Sequence, residues 1–367
     1  MKRILALVLC IVMAVAAVAC TTDPAKTTPT PNNNDAPATK DYKLGMGIGV
    51  STASSKAGTA QVDATVATVV TDADGKIVAC RLDVAQNKMT IADGAVDTAA
   101  TFKTKMELGT AYGMSTSPYS PDNNGDGVVK EWDEQAKIFE NYVVGKTVAE
   151  IKAMTTKEVN AHLISTDDAL LSAGCTIQIT DFKDAVVKAC EDAQGMSFKA
   201  VEGTFTLGVA AKTTAEESKA ATADDDGVVK MYTDFAASVV VDGKIVASLN
   251  DAIQPDIAID MDGVPTPAEF KGTKRERKEG YNMAPAVNYG PNYDPNNDGK
   301  VLEWYLQSAE FSKYVVGKTA DEVAGMATAT NALGYQMTTD ADLLAAGCTI
   351  QITAIKAVGA QSAKNAR

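Results

Sequence analysis

Val62-Asp-Ala-Thr-Val-Ala-Thr-Val-Val70, followed shortly by Asp74-Gly75-Lys76-Ile77-Val78, is the stretch that decides the fold. Side-chain alternation at period two puts Val62, Ala64, Val66, Thr68 and Val70 on one face of a strand, with Gln61, Asp63 and Thr65 on the other. Asp-Gly supplies a two-residue hairpin turn, because glycine takes a positive φ without steric cost. Residues 76–84 are therefore predicted to return as the partner strand. The signature recurs as Asp242-Gly243-Lys244-Ile245-Val246, between predicted strands over residues 235–241 and 244–249.

The recurrence extends along the chain. Tyr142-Val-Val-Gly-Lys-Thr147 returns unchanged as Tyr314 to Thr319, and Ala173-Gly-Cys-Thr-Ile-Gln-Ile-Thr180 as Ala346 to Thr353. Glu131-Trp132 matches Glu303-Trp304, and Tyr112-x-Met114 matches Tyr281-x-Met283, in the same order. A period near 170 residues is too long for a solenoid unit. The reading is a tandem repeat of two similar α+β domains, residues 42–194 and 200–358, each an antiparallel sheet with packed helices, and a tail over 359–367.

Helices follow from spacing and caps. Trp132, Ala136, Phe139 and Val143 form one apolar stripe, repeated by Trp304, Ser308, Phe311 and Val315, so both tryptophans read as core anchors. Val-Gly-Lys-Thr is not a phosphate loop, since Glu140 and Ser312 stand where the earlier glycine is required. It reads instead as a glycine that closes one helix and a Thr-x-x-Glu capping box that opens the next, at Thr147/Glu150 and Thr319/Glu322. Thr-Ile-Gln-Ile-Thr alternates like a short strand.

The beginning of the chain points to export. Lys2 and Arg3 precede an apolar run over residues 4–18, too short to cross a bilayer and suited to a signal peptide over residues 1–19. Ala17-Val-Ala-Cys20 resembles a bacterial lipobox, which implies that Cys20 is acylated and begins the mature chain. A Pro/Thr/Asn-rich stretch follows, giving a lipidated cysteine and flexible tether over residues 20–41. Removing residues 1–19 takes two basic residues and no acid, leaving 32 basic and 47 acidic residues and a formal charge of -15. Such a chain is repelled by nucleic acid and by anionic headgroups, so its bilayer contact is expected through acyl chains on the extracytoplasmic side.

Two residue types narrow the chemistry. The one histidine, His162, is expected on a loop, and a catalytic triad or a multi-histidine zinc site would need it. Cys80, Cys175, Cys190 and Cys348 divide three to one between the repeats, so free and largely buried thiols are expected.

Asp122-Asn-Asn124-Gly-Asp126-Gly127-Val-Val-Lys-Glu-Trp-Asp133 has oxygen side chains at positions 1, 3, 5 and 12, glycine at 6 and an apolar residue at 8. That spacing converges hard ligands on calcium in EF-hand loops, and aspartate at the twelfth position resembles dockerin repeats. The second copy keeps Asp294, Asn296 and Asp298 but has Tyr305 at the twelfth position, so weaker calcium binding is expected there. The alternative is a polar Asn/Asp/Gly surface loop.

The alternating strand, the Asp-Gly-Lys-Ile-Val turn and a late Gly-x-Thr segment leading into a helix over 181–193 together resemble the FMN-binding domain of exported bacterial lipoproteins and membrane-bound ion-pumping oxidoreductases. The resemblance implies an α+β fold and FMN joined through its phosphate to a threonine by a flavin transferase, with membrane redox partners. Thr176 and Thr349 stand at the acceptor position. The chain departs from the family pattern at Leu170 and Leu343, where an aspartate is usual, and at Ala173 and Ala346, where a hydroxyl is usual. Two functions remain open: a tethered FMN-binding electron carrier, or a non-redox binding or surface-structural lipoprotein with calcium-stabilised domains. No stand-alone catalytic site is read from the sequence.

Overall fold

The described strands all pair antiparallel, most of them through hairpins. Asp242-Gly243 makes the expected two-residue turn, whereas the first hairpin turns through three residues, Ala73-Asp74-Gly75, with Asp72 N–H donating to the Lys76 carbonyl. The computed structural model describes residues 38–117, 122, 125 and 127–367. The predicted signal peptide, Cys20 and nearly all of the tether lie outside the described residues. Thr39–Arg367 is one compact unit.

The first repeat runs β1 (Thr39–Ser51), β2 (Thr59–Asp72), β3 (Ile77–Thr90), α1 (Lys105–Leu108), α2 (Trp132–Val143), α3 (Val148–Ala153), β4 (Thr156–Val159), β5 (His162–Ser165), α4 (Asp168–Ser172) and α5 (Thr180–Cys190). β6 (Met196–Val201) leads into the second: β7 (Thr206–Thr214), β8 (Gly227–Lys230), β9 (Tyr232–Val241), β10 (Lys244–Ile253), β11 (Asp256–Ile259), β12 (Pro265–Pro267), α6 (Lys274–Arg277), α7 (Trp304–Tyr314), α8 (Ala320–Ala324), β13 (Thr328–Thr330), β14 (Gln336–Thr338), α9 (Ala341–Ala345) and α10 (Thr353–Lys364). The class is α+β. One sheet has the order β3-β2-β1-β6 and another β10-β9-β7; β12-β11-β8 and the hairpins β4-β5 and β13-β14 are smaller.

The two main sheets turn their apolar faces toward each other. Val62, Ala64, Val66 and Val70 of β2 share a cluster with Leu207, Val209, Phe235, Val239 and Leu249 of the second repeat. β2 is buried on both faces, because its opposite side meets helices: Ala67 and Val69 join Trp132, Phe139, Phe182 and Ala185. Trp304, Phe311, Ile355 and Ala360 repeat that helical cover on β10 and its neighbours. The order of layers is therefore helices, sheet, sheet, helices, with one core shared by the repeats at the centre.

Three boundaries differ from the sequence reading. Strand pairing begins at Thr39, opposite Val201, inside the stretch read as tether, because the Lys199–Asp41 and Lys40–Glu202 ion pairs accompany a continuous ladder there. β6 occupies the gap between the repeats. The expected tail is mostly helix: α10 continues to Lys364, and the Arg367 guanidinium reaches the buried Glu140 carboxylate at 2.9 Å.

The caps form as expected. Thr147 and Glu150 satisfy each other's backbone N–H, as do Thr319 and Glu322, while Gly145 and Gly317 turn the chain at φ 86°. The Thr176 segment does not form the expected strand. It is an irregular turn between α4 and α5, held by a glutamine amide from α2 in place of a ladder. His162 lies on the strand β5 instead of the expected loop, with its side chain exposed.

Candidate functional site

Each repeat encloses a cavity between its sheet, its Trp-bearing helix and the turn that carries the late threonine. The volumes are about 580 Å³ in the first repeat and about 510 Å³ in the second, within the range of small-molecule sites. The walls match residue for residue: Trp132 with Trp304, Tyr112 with Tyr281, Met114 with Met283, and Lys105 with Lys274. Gln135 matches Gln307, and the Thr176-Ile177-Gln178 edge matches Thr349-Ile350-Gln351.

Gln135 builds the turn. Its side chain is fully buried on α2, and its Oε1 accepts from the backbone N–H of Thr176 at 2.8 Å and Ile177 at 3.0 Å. Its Nε2 donates to the Lys130 carbonyl at 2.8 Å. Gln307 repeats this with Thr349 N–H at 2.7 Å and the Leu302 carbonyl at 2.7 Å. An amide carries both a donor and an acceptor, so one side chain satisfies backbone groups on two segments. The threonine hydroxyls also reach these amides, at 3.4 Å for Thr176 and 3.2 Å for Thr349. Thr176 is 5% exposed, and Thr349 is partly exposed.

The lysines are placed by buried acids. Asp83 on β3 accepts from the Val84 and Met106 N–H groups, which fixes the start of α1. Asp251 on β10 does the same through Ala252 and Arg275 at α6. Burial pushes both carboxyls up to about 6, against their hydrogen bonds. Lys105 Nζ then lies 4.7 Å from the Tyr112 ring centre and 5.5 Å from that of Trp132. Lys274 lies 5.0 Å from Tyr281 and 5.1 Å from Trp304. Each cavity thus presents two aromatic faces and a cation that can turn toward a ligand.

Glu131 and Glu303 join the aromatic segment to the helix. Their carboxylates accept the Met114 and Met283 N–H groups at 2.9 and 2.8 Å. Cys175 and Cys348 lie behind the threonines, and burial lifts both thiols to about 12, so neither is a ready nucleophile at neutral pH. Cys80, Cys175, Cys190 and Cys348 are all free, as the sequence suggested.

Val129 and Val301, the eighth positions of the calcium-like loops, line the two cavities, as do Trp132 and Trp304 of the same loops. Asn124 and Asp126 fall outside the described residues. The Asp122 carboxylate accepts from Gly125 and Gly127 N–H at 2.8 and 2.7 Å, and Asp133 pairs with Lys137 at 2.7 Å. In the second loop Asp294 accepts from Gly299 N–H at 2.9 Å, Asp298 from Lys300 N–H, and Asn296 donates to the Leu344 carbonyl. Among the described residues, no three acidic, histidine or cysteine side chains are grouped to hold a metal ion. No described helix is long and apolar enough to cross a membrane.

Sequence reasoning placed Thr176, Thr349 and the tryptophans, but assigned the tryptophans to core alone. They serve both purposes, since each is buried and also walls a cavity. The glutamines and lysines were missed. Their signal was available in the repeat itself, because each recurs at the matching position.

No protein-family model matches the chain, and no solved structure matches it. Over 112 residues it is 36% identical to a chlorophenol reductase of Desulfitobacterium hafniense, covering 27% of this chain and 32% of that protein. The chain spans about a third of that relative's length, so the likeness carries no activity with it.

Proposed function

We propose that this is an exported lipoprotein, anchored through acyl chains on Cys20, whose two cavities bind flavin and pass electrons outside the membrane. The observation that carries this reading is the pair of aromatic-walled cavities, each with the threonine of the Gly-Cys-Thr motif on its wall. Tryptophan and tyrosine faces suit a planar heteroaromatic ring, and Lys105 or Lys274 suits its phosphate. The volumes admit a ligand of that size.

Attachment at the threonines is a separate matter from binding. Leu170 and Leu343, which stand in place of the family's aspartate, are buried in the helical cores, so a transferase finds no carboxylate there. Thr349, the more exposed of the two, is the better acceptor. Calcium in the first loop is part of the same proposal, with a weaker or empty second loop. The burial of Leu170 and Leu343 favours a second reading, in which the cavities hold a ligand without covalent flavin chemistry.

The chain's two tryptophans both line cavities, so intrinsic fluorescence reports on occupancy. Titrating the soluble mature chain with FMN should quench tryptophan emission saturably. Only the weak linear loss expected from added absorber would remove the flavin reading. In the native host, Cys20→Ala should leave an uncleaved or soluble protein; unchanged membrane retention of a processed chain would remove the anchor.

A further inference from the structure

The cavities share one wall and differ on another. Asp63 of β2 pairs with Gln86 of β3. In the second repeat the ladder pairs Thr233 with Ile253, and one position beyond, Tyr232 takes the place of Asp63 beside Gln254. At the start of the late helix, Asp181 follows Thr180 in α5, whereas Ala354 follows Thr353 in α10. Two carboxylates facing the first cavity are thus a phenol and a methyl group in the second.

The second cavity has its own acids, but they have cations beside them. Asp234, which pairs with Ala252 as Thr65 pairs with Val84, is also raised by burial, but against both Lys274 and Lys212. Glu217 lies 3.8 Å from Lys230. In the first cavity, burial raises the Asp181 carboxyl, and the neighbouring Asp184 and Asp63 raise it further against Lys105 alone. His162 is the other titratable group on that wall besides Tyr112. The second cavity also gains Tyr293 and Tyr335, so it offers more aromatic surface. Each cavity is lined by two carboxylates and one lysine, and in the second Lys212 and Lys230 stand beside the acids as further counter-charges.

We infer that the two cavities are unequal sites. The second repeat's cavity is the tighter one for a planar aromatic ligand bearing an anionic group, and positions 63/232 and 181/354 set the difference. This deepens the flavin reading and rests on it.

Calorimetric titration of the mature chain with FMN should show two steps, the tighter from the second cavity. Tyr232→Asp with Ala354→Asp should weaken the tight step about tenfold, the scale of screened carboxylate–phosphate repulsion. Asp63→Tyr with Asp181→Ala should strengthen the weak step by a similar factor. Riboflavin, which lacks the phosphate, should show a smaller gap between steps. The two pairs of substitutions lie in different repeats, so if one fails to fold the other decides. Two equal steps that neither pair separates nor shifts would overturn the inequality while leaving flavin binding intact. No FMN binding by the unaltered chain would overturn the flavin reading itself, and this inference with it.

Discussion

Gln135 and Gln307 each use a buried amide to hold backbone N–H groups of an irregular turn between two helices. Gln135→Ala would leave the Thr176 and Ile177 N–H groups buried without their acceptor, at a cost of about 1–3 kcal/mol for each group left unsatisfied. Chemical denaturation should show a loss of at least about 2 kcal/mol, with Gln135→Glu intermediate because it restores the acceptor. An unchanged midpoint would mean the turn is held by something else. Asp83 and Asp251 make a pH prediction. Their folded pKa of about 6 lies above the ordinary 3.8, so the native state binds the extra protons and this contribution weakens as pH rises through about 6. The stability advantage of the wild type over Asp83→Asn should therefore be larger at about pH 5 than at about pH 7. Thermal melts at the two values check the sign.

At the scale of elements, much was legible because its causes are local. The Asp-Gly hairpins, the Trp-led helices and the Thr-x-x-Glu caps all depend on residues within a few positions of one another. The Thr176 turn was misread because alternation also occurs by chance in a segment whose backbone partner sits 41 residues away. The cavities were unreadable for the same reason: their walls come from a strand, a short helix, a long helix and a late turn. Helix-to-sheet packing depends on similarly distant groups. A Cβ on Gly47 of β1 would lie 2.2 Å from the Ala185 carbonyl oxygen of α5, so Gly47→Ala should push the helix off the sheet and cost about 1–3 kcal/mol. The calcium proposal belongs here too. Asp126→Ala should lower the melting temperature in calcium and leave it nearly unchanged in chelator, since a ligand stabilises only the form it binds. Identical melting of the wild type in both conditions would remove calcium from the account.

Over the whole molecule, two matched cavities flank one shared core. Leu44, Val62 and Val66 of the first repeat share that core with Phe235, Val239 and Leu249 of the second. Residues 39–195 expressed alone would expose the inner face of their sheet, so the fragment should aggregate or fail to give a cooperative melt, while the full chain unfolds in one transition. A fragment with native-like stability would show that the repeats stand independently. The central claim is that the matched cavities are flavin sites on a tethered carrier. Its most direct test is the visible spectrum and intact mass of the protein isolated from its native membrane. The account predicts flavin absorption and a diacylglyceryl mass on a chain beginning at Cys20. A colourless protein that gains no flavin spectrum when FMN is added would contradict it.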